Sequence, residues 1–295
     1  MKRTTPFFAV VFIAAACSPP EADTTGGGKR PKVPIPASAA AAAATRPPKI
    51  TLPPPMAPPP KPDGQPQSAG DLTALARAAA AGQPVQRAGA PTFVVLDDAR
   101  RKIGGTIVDT VRRRVEIPAK INMVTGILEY MSCASDGKLH ESVLEQLDRG
   151  SHLHIALLLL DQMPAEFVND EKTGPRLVRQ GSPLRVSVEF ADLKTGKTVS
   201  RPAESFLYSR KRKGSPKQVD WVFQGSTFWN GDYSADTSKS IMGLVPDPTT
   251  VIAVMGNEGN PYQGMEGFEV HTKAIPPKGT PVTLVIEPAA PPPQK

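Results

Sequence analysis

Leu184, Val186, Val188 and Phe190 take every second position of "PLRVSVEF", with charged or hydroxyl residues at most positions between them. A period of two places such residues on one face of a strand with one side buried. Similar alternating or short apolar runs recur in "PTFVVLDD" (91–98), "ILEYMSCA" (127–134), "QVDWVFQGSTFW" (218–229), "TTVIAVMG" (249–256) and "TPVTLVIEP" (280–288). The stretch "GGTIVDTVRRRVEIPAKIN" (104–122) reads as a hairpin that turns near Thr110 to Arg113, and "KTGK" (194–197) reads as another turn. Only one segment breaks the rhythm strongly. "SHLHIALLLLDQM" (151–163) is apolar on every face over Ile155 to Leu160, which predicts a buried helix capped by Ser151 and stopped by Pro164. "HESVLEQLDRG" (140–150) reads as the start of a second, short helix. These patterns predict about nine or ten strands and one or two helices, an α+β fold on a mostly antiparallel sheet. No βαβ rhythm appears, which argues against a doubly wound nucleotide-binding fold.

The patterned region starts only near residue 89. Fifteen of the 34 prolines lie between Pro19 and Pro66, beside an alanine tract at 37–44, so this part has no material for a core. Residues 17–88 read as a Pro/Ala-rich tether, which at about 3.1 Å per residue would reach on the order of 200 Å if fully extended. Within it, "DLTALARAAAAG" (71–82) has the caps of a weak helix in Asp71 and Gly82. Residues 89–288 read as the folded domain and 289–295 as a flexible tail.

The first residues set the compartment. Lys2 and Arg3 precede an apolar run, Phe7 to Ala16, too short to span a bilayer as a helix, and small residues lead into Cys17. This resembles a lipoprotein leader, with residues 1–16 removed and Cys17 lipidated. Several acyl chains anchor stably where one is marginal. The resemblance implies an exported, lipid-anchored protein of the bacterial cell envelope, with the membrane as its first partner. An ordinary secreted protein cut near Ala16 is the alternative.

Charge adds little. The chain carries a formal +7, and two of those charges are Lys2 and Arg3 of the leader. The densest basic run, "SRKRKGSPK" (209–217), holds Gly214 and Pro216 and reads as a solvated hairpin loop. It lacks the spread of basic and stacking residues that a nucleic-acid surface needs, so no nucleic-acid partner is expected, while contact with an anionic lipid or cell-wall polymer stays open.

The chemistry concentrates in "CASDGKLHESVL" (133–144). With Cys17 lipidated, Cys133 has no intramolecular partner, and a lone cysteine in an exported protein is either a packed residue, a ligand or a reactive thiol. Glu129 and Cys133 share a face of one strand, and the Asp136–Gly137 turn can bring His140 and Glu141 beside them. Glu129, Cys133, His140 and Glu141 can then hold a transition metal such as Zn2+. The same set can run thiol chemistry, with Cys133 as nucleophile and His140 as base, and Lys138 in support. A purely structural or interaction domain, meeting an envelope protein, is the third reading. His152 and His154 are expected at the surface or a boundary, and His271 in a structural role. "GNEGNPYQGMEGFE" (256–269) fits neither a phosphate-binding nor a calcium loop and reads as a surface loop.

Residues 104–144, with "HLHIALLLL", "WVFQGSTF", "YSAD", "DPTTVI" and "IPPKGTPVTLVIEP", resemble the YdjY-type domain of bacterial exported proteins over roughly 104–288. The family pattern has an acidic residue before a Cys, then Gly-Lys, a hydroxyl residue and His-Glu-Ser. Here Glu129, Cys133, Gly137, Lys138, His140, Glu141 and Ser142 match, and Leu139 stands in place of the hydroxyl. The resemblance implies no defined reaction.

Overall fold

The computed structural model describes residues 66, 68–82, 91–170, 174–256, 258–259 and 267–289. Contacts divide the chain into residues 1–57 and 58–295, and every described residue lies in the second unit. The leader, Cys17, most of the expected tether and the tail from residue 290 lie outside the described residues.

Three α-helices occur among the described residues: α1 (Ala69–Ala80), α2 (Gly150–Leu159) and α3 (Ser234–Ser238). The segment expected to be a weak helix is α1, and it belongs to the fold. Ser68 rather than Asp71 caps it, its Oγ accepting from the Asp71 amide at 3.1 Å. Leu72 is fully buried, and Leu75 and Ala76 join it in the core, where α1 packs on α2. The folded unit therefore starts earlier than residue 89.

The strands follow in chain order. β1 (Phe93–Val95), β2 (Arg100–Ile103), β3 (Thr106–Asp109) and β4 (Arg114–Ile121) form an antiparallel meander. β5 (Tyr130–Ala134) and β6 (Ser142–Gln146) run parallel, and β7 (Glu166–Asp170) and β8 (Gly174–Arg179) form a separate hairpin. β9 (Pro183–Ala191) pairs with β10 (Thr198–Pro202). Then come β11 (Leu207–Ser209), β12 (Trp221–Phe223), the small hairpin β13 (Phe228–Trp229) and β14 (Asp232–Tyr233), β15 (Ser240–Gly243), β16 (Ile252–Val254), β17 (Phe268–Val270) and β18 (Pro281–Pro288).

The main sheet closes on itself. Its path β4–β18–β9–β12–β16–β15–β5–β6 returns to β4 through the pairing of β6 with Ala119 to Ile121. Pairings within this eight-stranded barrel are antiparallel except β15–β16 and β5–β6. The fold is β-rich with few helices, and its sheet is mixed. Closure leaves no open edge around the ring. Alternation fills the interior: Val115, Ile117, Ala119 and Ile121 of β4 face the buried side, as do Leu184, Val186, Val188 and Phe190 of β9. Pro118 stands where β4 exchanges one neighbour for another, β3 pairing as far as Glu116 and β6 from Ala119. A residue without an amide hydrogen suits such a break.

Two expectations are corrected here. Ser142–Gln146 is a strand, not the start of a helix: Val143 and Leu144 are fully buried and the backbone pairs with β5. Tertiary pairing overrides a local pattern too short to nucleate a helix. The second concerns α2, a helix as expected, but buried from Gly150 to Leu157 instead of from Ile155 to Leu160, and capped differently. Arg149 is the N-cap residue, and the Ser151 amide donates to Asp236 Oδ1 of α3 at 2.9 Å. The helix also ends at Leu159, with Asp161 at φ 57, ahead of Pro164.

Candidate functional site

The stretch between β5 and β6 is a return strap. Residues 135–141 carry the chain from the end of β5 back to its start, so that Tyr130 pairs with Ser142 and Cys133 with Glu145 in parallel register. Parallel neighbours ordinarily need a crossover of about a dozen residues or more. The short return depends on Asp136, at φ 66, and on Gly137. A Cβ on Gly137 would lie 2.7 Å from Lys239 Cβ and 2.9 Å from the carbonyl oxygens of Ala134 and Lys239. A single turn of 3-10 helix, Leu139–Glu141, completes the return. Asn122 pins it, with Nδ2 donating to the Ser142 carbonyl at 2.8 Å and to the Leu139 carbonyl.

The strap sorts the motif residues into two environments. Cys133 lies inside, with no exposed surface. Burial pushes its thiol up to about 11, against weaker opposing hydrogen bonds with Ser142, the Lys138 backbone and Ser240. His140 lies outside, its side chain 75% exposed, with Nε2 at 3.3 Å from Glu141 Oε1. Glu141 and Glu129 meet side chain to side chain. Partial burial, then the charge and hydrogen bond of Glu129, raise the Glu141 carboxyl above its ordinary range. Lys138 belongs to this outer group: Nζ donates to Tyr130 Oη at 3.0 Å and feels both carboxylates.

The expected four-donor site is corrected accordingly. Among the described residues no group of three or more His, Cys, Asp and Glu side chains is arranged to hold a metal ion. A thiol at the floor of a packed sheet and an imidazole in solvent are parts of different layers, so the residues present do not fit Zn2+. The thiol reading meets the same obstacle, because the groups acting on Cys133 are two serines and Lys138, with no imidazole among them.

Two histidines expected near the surface are buried. His152 Nδ1 lies 2.6 Å from Asp148 Oδ1, and Asp148 Oδ2 accepts from the Gly105 amide at 3.0 Å and from Thr106 Oγ1 at 2.5 Å. Burial alone would raise the Asp148 carboxyl, but the hydrogen bonds and charge of its partners outweigh it and hold it below its ordinary range. This clasp fastens the β2–β3 turn to the start of α2. Gly104 is required there, at φ 57, since a Cβ would fall 2.3 Å from His152 Nδ1. His154 is held at about 4 by burial, with Nδ1 2.8 Å from both the Gly225 carbonyl and Tyr233 Oη. Phe223 meets its ring edge to face at 4.9 Å between centroids. Even spacing of His152 and His154 hid this, because α2 is surrounded on all sides and both faces are interior.

The stretch that forms these elements matches a known domain family. The family model of the YdjY domain matches residues 106–287, from the first residue of β3 into β18. The chain belongs to this family. No curated protein and no solved structure matches it. The matched YdjY region contains the whole barrel path except Pro288, together with the strap and its two layers, whereas α1, β1 and β2 lie before it.

Proposed function

We propose that this protein is an exported, lipid-anchored accessory module of the cell envelope that works by binding and not by thiol catalysis. One observation carries the choice: the thiol of Cys133 is enclosed and pushed to about 11, while His140 stands in solvent against Glu141. A nucleophilic cysteine needs the opposite arrangement, an accessible thiol with a depressed pKa beside a base. The outer group, Lys138, His140 and Glu141 of the strap with Glu129 just before β5, offers both signs of charge at one place, a surface suited to an envelope protein partner. The lipoprotein-like leader and Cys17 support anchoring at the membrane.

Two measurements test this reading. Alkylation of the purified protein against pH should leave Cys133 unmodified at pH 7 in the folded state and fully modified in denaturant. Rapid folded-state alkylation with a midpoint below pH 8 would overturn the binding reading in favour of catalysis. In a bacterial host, metabolic labelling with an alkyne fatty acid should mark the wild type and not Cys17→Ser. Equal labelling of the two would remove the anchor.

A further inference from the structure

The basic run expected to be a solvated hairpin loop is a tight turn, and two of its arginines are tied to acidic partners. Ser209 and Gly214 bridge as an antiparallel pair, closing a tight turn over Arg210 to Lys213. Arg210 pairs with Glu269 of β17, and Arg212 grips Glu258 with two nitrogens, its Nη2 at 2.8 Å. Lys213 directly follows Arg212, at φ 53. It does not pair with a described carboxylate. Instead it lines a cleft of about 580 Å3, together with Tyr208, His271 and Lys273. That volume falls within the range of small-molecule sites.

The walls are fixed before any ligand arrives. His271 Nδ1 is 2.8 Å from Ser215 Oγ and 3.2 Å from the Ser205 carbonyl, which leaves Nε2 as the ring nitrogen for a ligand. Tyr208 stands beside it with 5.7 Å between ring centroids. The acid among the lining residues, Glu269, is already neutralised by Arg210. Among the described residues, neither the Lys213 nor the Lys273 ammonium has a carboxylate partner. Two other clefts differ in this respect. One of about 490 Å3 sets Arg185 and Lys217 against Glu204 and Glu287, and one of about 420 Å3 sets Arg100 and Arg112 against Asp97 and Asp109.

We propose that the Tyr208–His271 cleft binds an acidic saccharide, its phosphate or carboxylate met by Lys213 and Lys273 and its ring resting against Tyr208 and His271. Lysine acts on such a group as a point charge, and an aromatic wall suits the less polar face of a sugar ring. The pre-set turn and the tied imidazole lower the ordering cost of binding. The inference rests on the reading of the domain as a binding module, and it fails separately, since it involves neither Cys17 nor Cys133.

Ligand-observed saturation-transfer NMR on the full-length protein tests it, with glucose 6-phosphate, glucuronate and glucose as probes. At least one acidic probe should bind saturably while glucose does not, and which one binds decides between phosphate and carboxylate. Lys213→Glu/Lys273→Glu should weaken that binding at least tenfold, and Lys213→Gln/Lys273→Gln, which adds no repulsion, by a few-fold. Circular dichroism checks that each variant keeps the wild-type fold. Absence of binding by both acidic probes, equal binding of glucose, or undiminished binding to the folded glutamine variant would each overturn the proposal.

Discussion

Lys138 and Tyr130 are joined twice, by a hydrogen bond of 3.0 Å from Nζ to Oη and by the placement of Nζ 5.1 Å from the ring centroid. The pair ties the middle of the strap to the first residue of β5. Tyr130→Phe removes the hydrogen bond and keeps the ring, so a loss of about 0.5–1.5 kcal/mol is expected. Tyr130→Ala also removes a buried ring and should cost about 3–5 kcal/mol. Urea unfolding of the two variants separates the contributions, and an unchanged midpoint for Tyr130→Phe would show that the hydrogen bond adds nothing.

Gly137→Ala should be costly for its size. The added methyl meets backbone oxygens at 2.9 Å on two sides, which cannot rotate away as a flexible side chain would. A loss of about 1–3 kcal/mol is expected from such overpacking. Hydrogen exchange should accelerate first at the β6 amides whose parallel pairing the strap enforces. Protection of β6 equal to wild type would sink this account of the strap.

His154 makes the fold acid-sensitive. Its imidazole is held at about 4 in the folded state and titrates near 6.5 when unfolded. Above pH 6.5 both states are neutral and the residue contributes no pH dependence. Below it the unfolded chain binds the extra proton, so stability falls by about 1.4 kcal/mol per pH unit until roughly pH 4, where about 3 kcal/mol has been lost. His154→Gln should flatten this limb. Urea midpoints at pH 7.5, 5.5 and 4.5 measure it, and parallel slopes for variant and wild type would contradict it.

Leu72→Ala tests whether α1 belongs to the domain. Leu72 is fully buried against the core, so a loss of about 2–5 kcal/mol is expected. Limited proteolysis should then cut near α1 in the variant before the barrel unfolds. A neutral substitution would return α1 to the tether.

Legibility followed the physics. The strands β4 and β9 were readable because one face of each meets the core and the other is more exposed, which writes a period of two into the sequence, and β18 was readable from its short apolar run Leu284–Ile286. The strand β6 was not, because "SVLEQ" carries no clean alternation and is defined by its neighbours, β5 and β4. α1 looked weak because its burial comes from two leucines and two alanines, Leu72, Leu75, Ala76 and Ala79, that matter only once α2 is beside them. At the candidate site, Glu129, His140 and Glu141 do lie together with Lys138. Cys133 was placed with them by strand parity, yet parity cannot tell which layer covers a face. The Tyr208–His271 cleft draws on residues far apart in the chain, Lys213 and Lys273 among them, and left no local signature beyond the basic run.

The barrel seam carries a consequence for how the molecule assembles. β5, the strap and β6 are neighbours in the chain and can pair early, at little entropic cost. β4 must wait for the last strand: Lys120 pairs with Pro281, a closure across about 160 residues. Until β18 arrives, the flanks of β4 and β9 are bare edges, ready to pair with another chain. A chain cut short before Pro281 therefore keeps its strap and most of its strands but loses the stave that closes the ring, and aggregation is its natural fate.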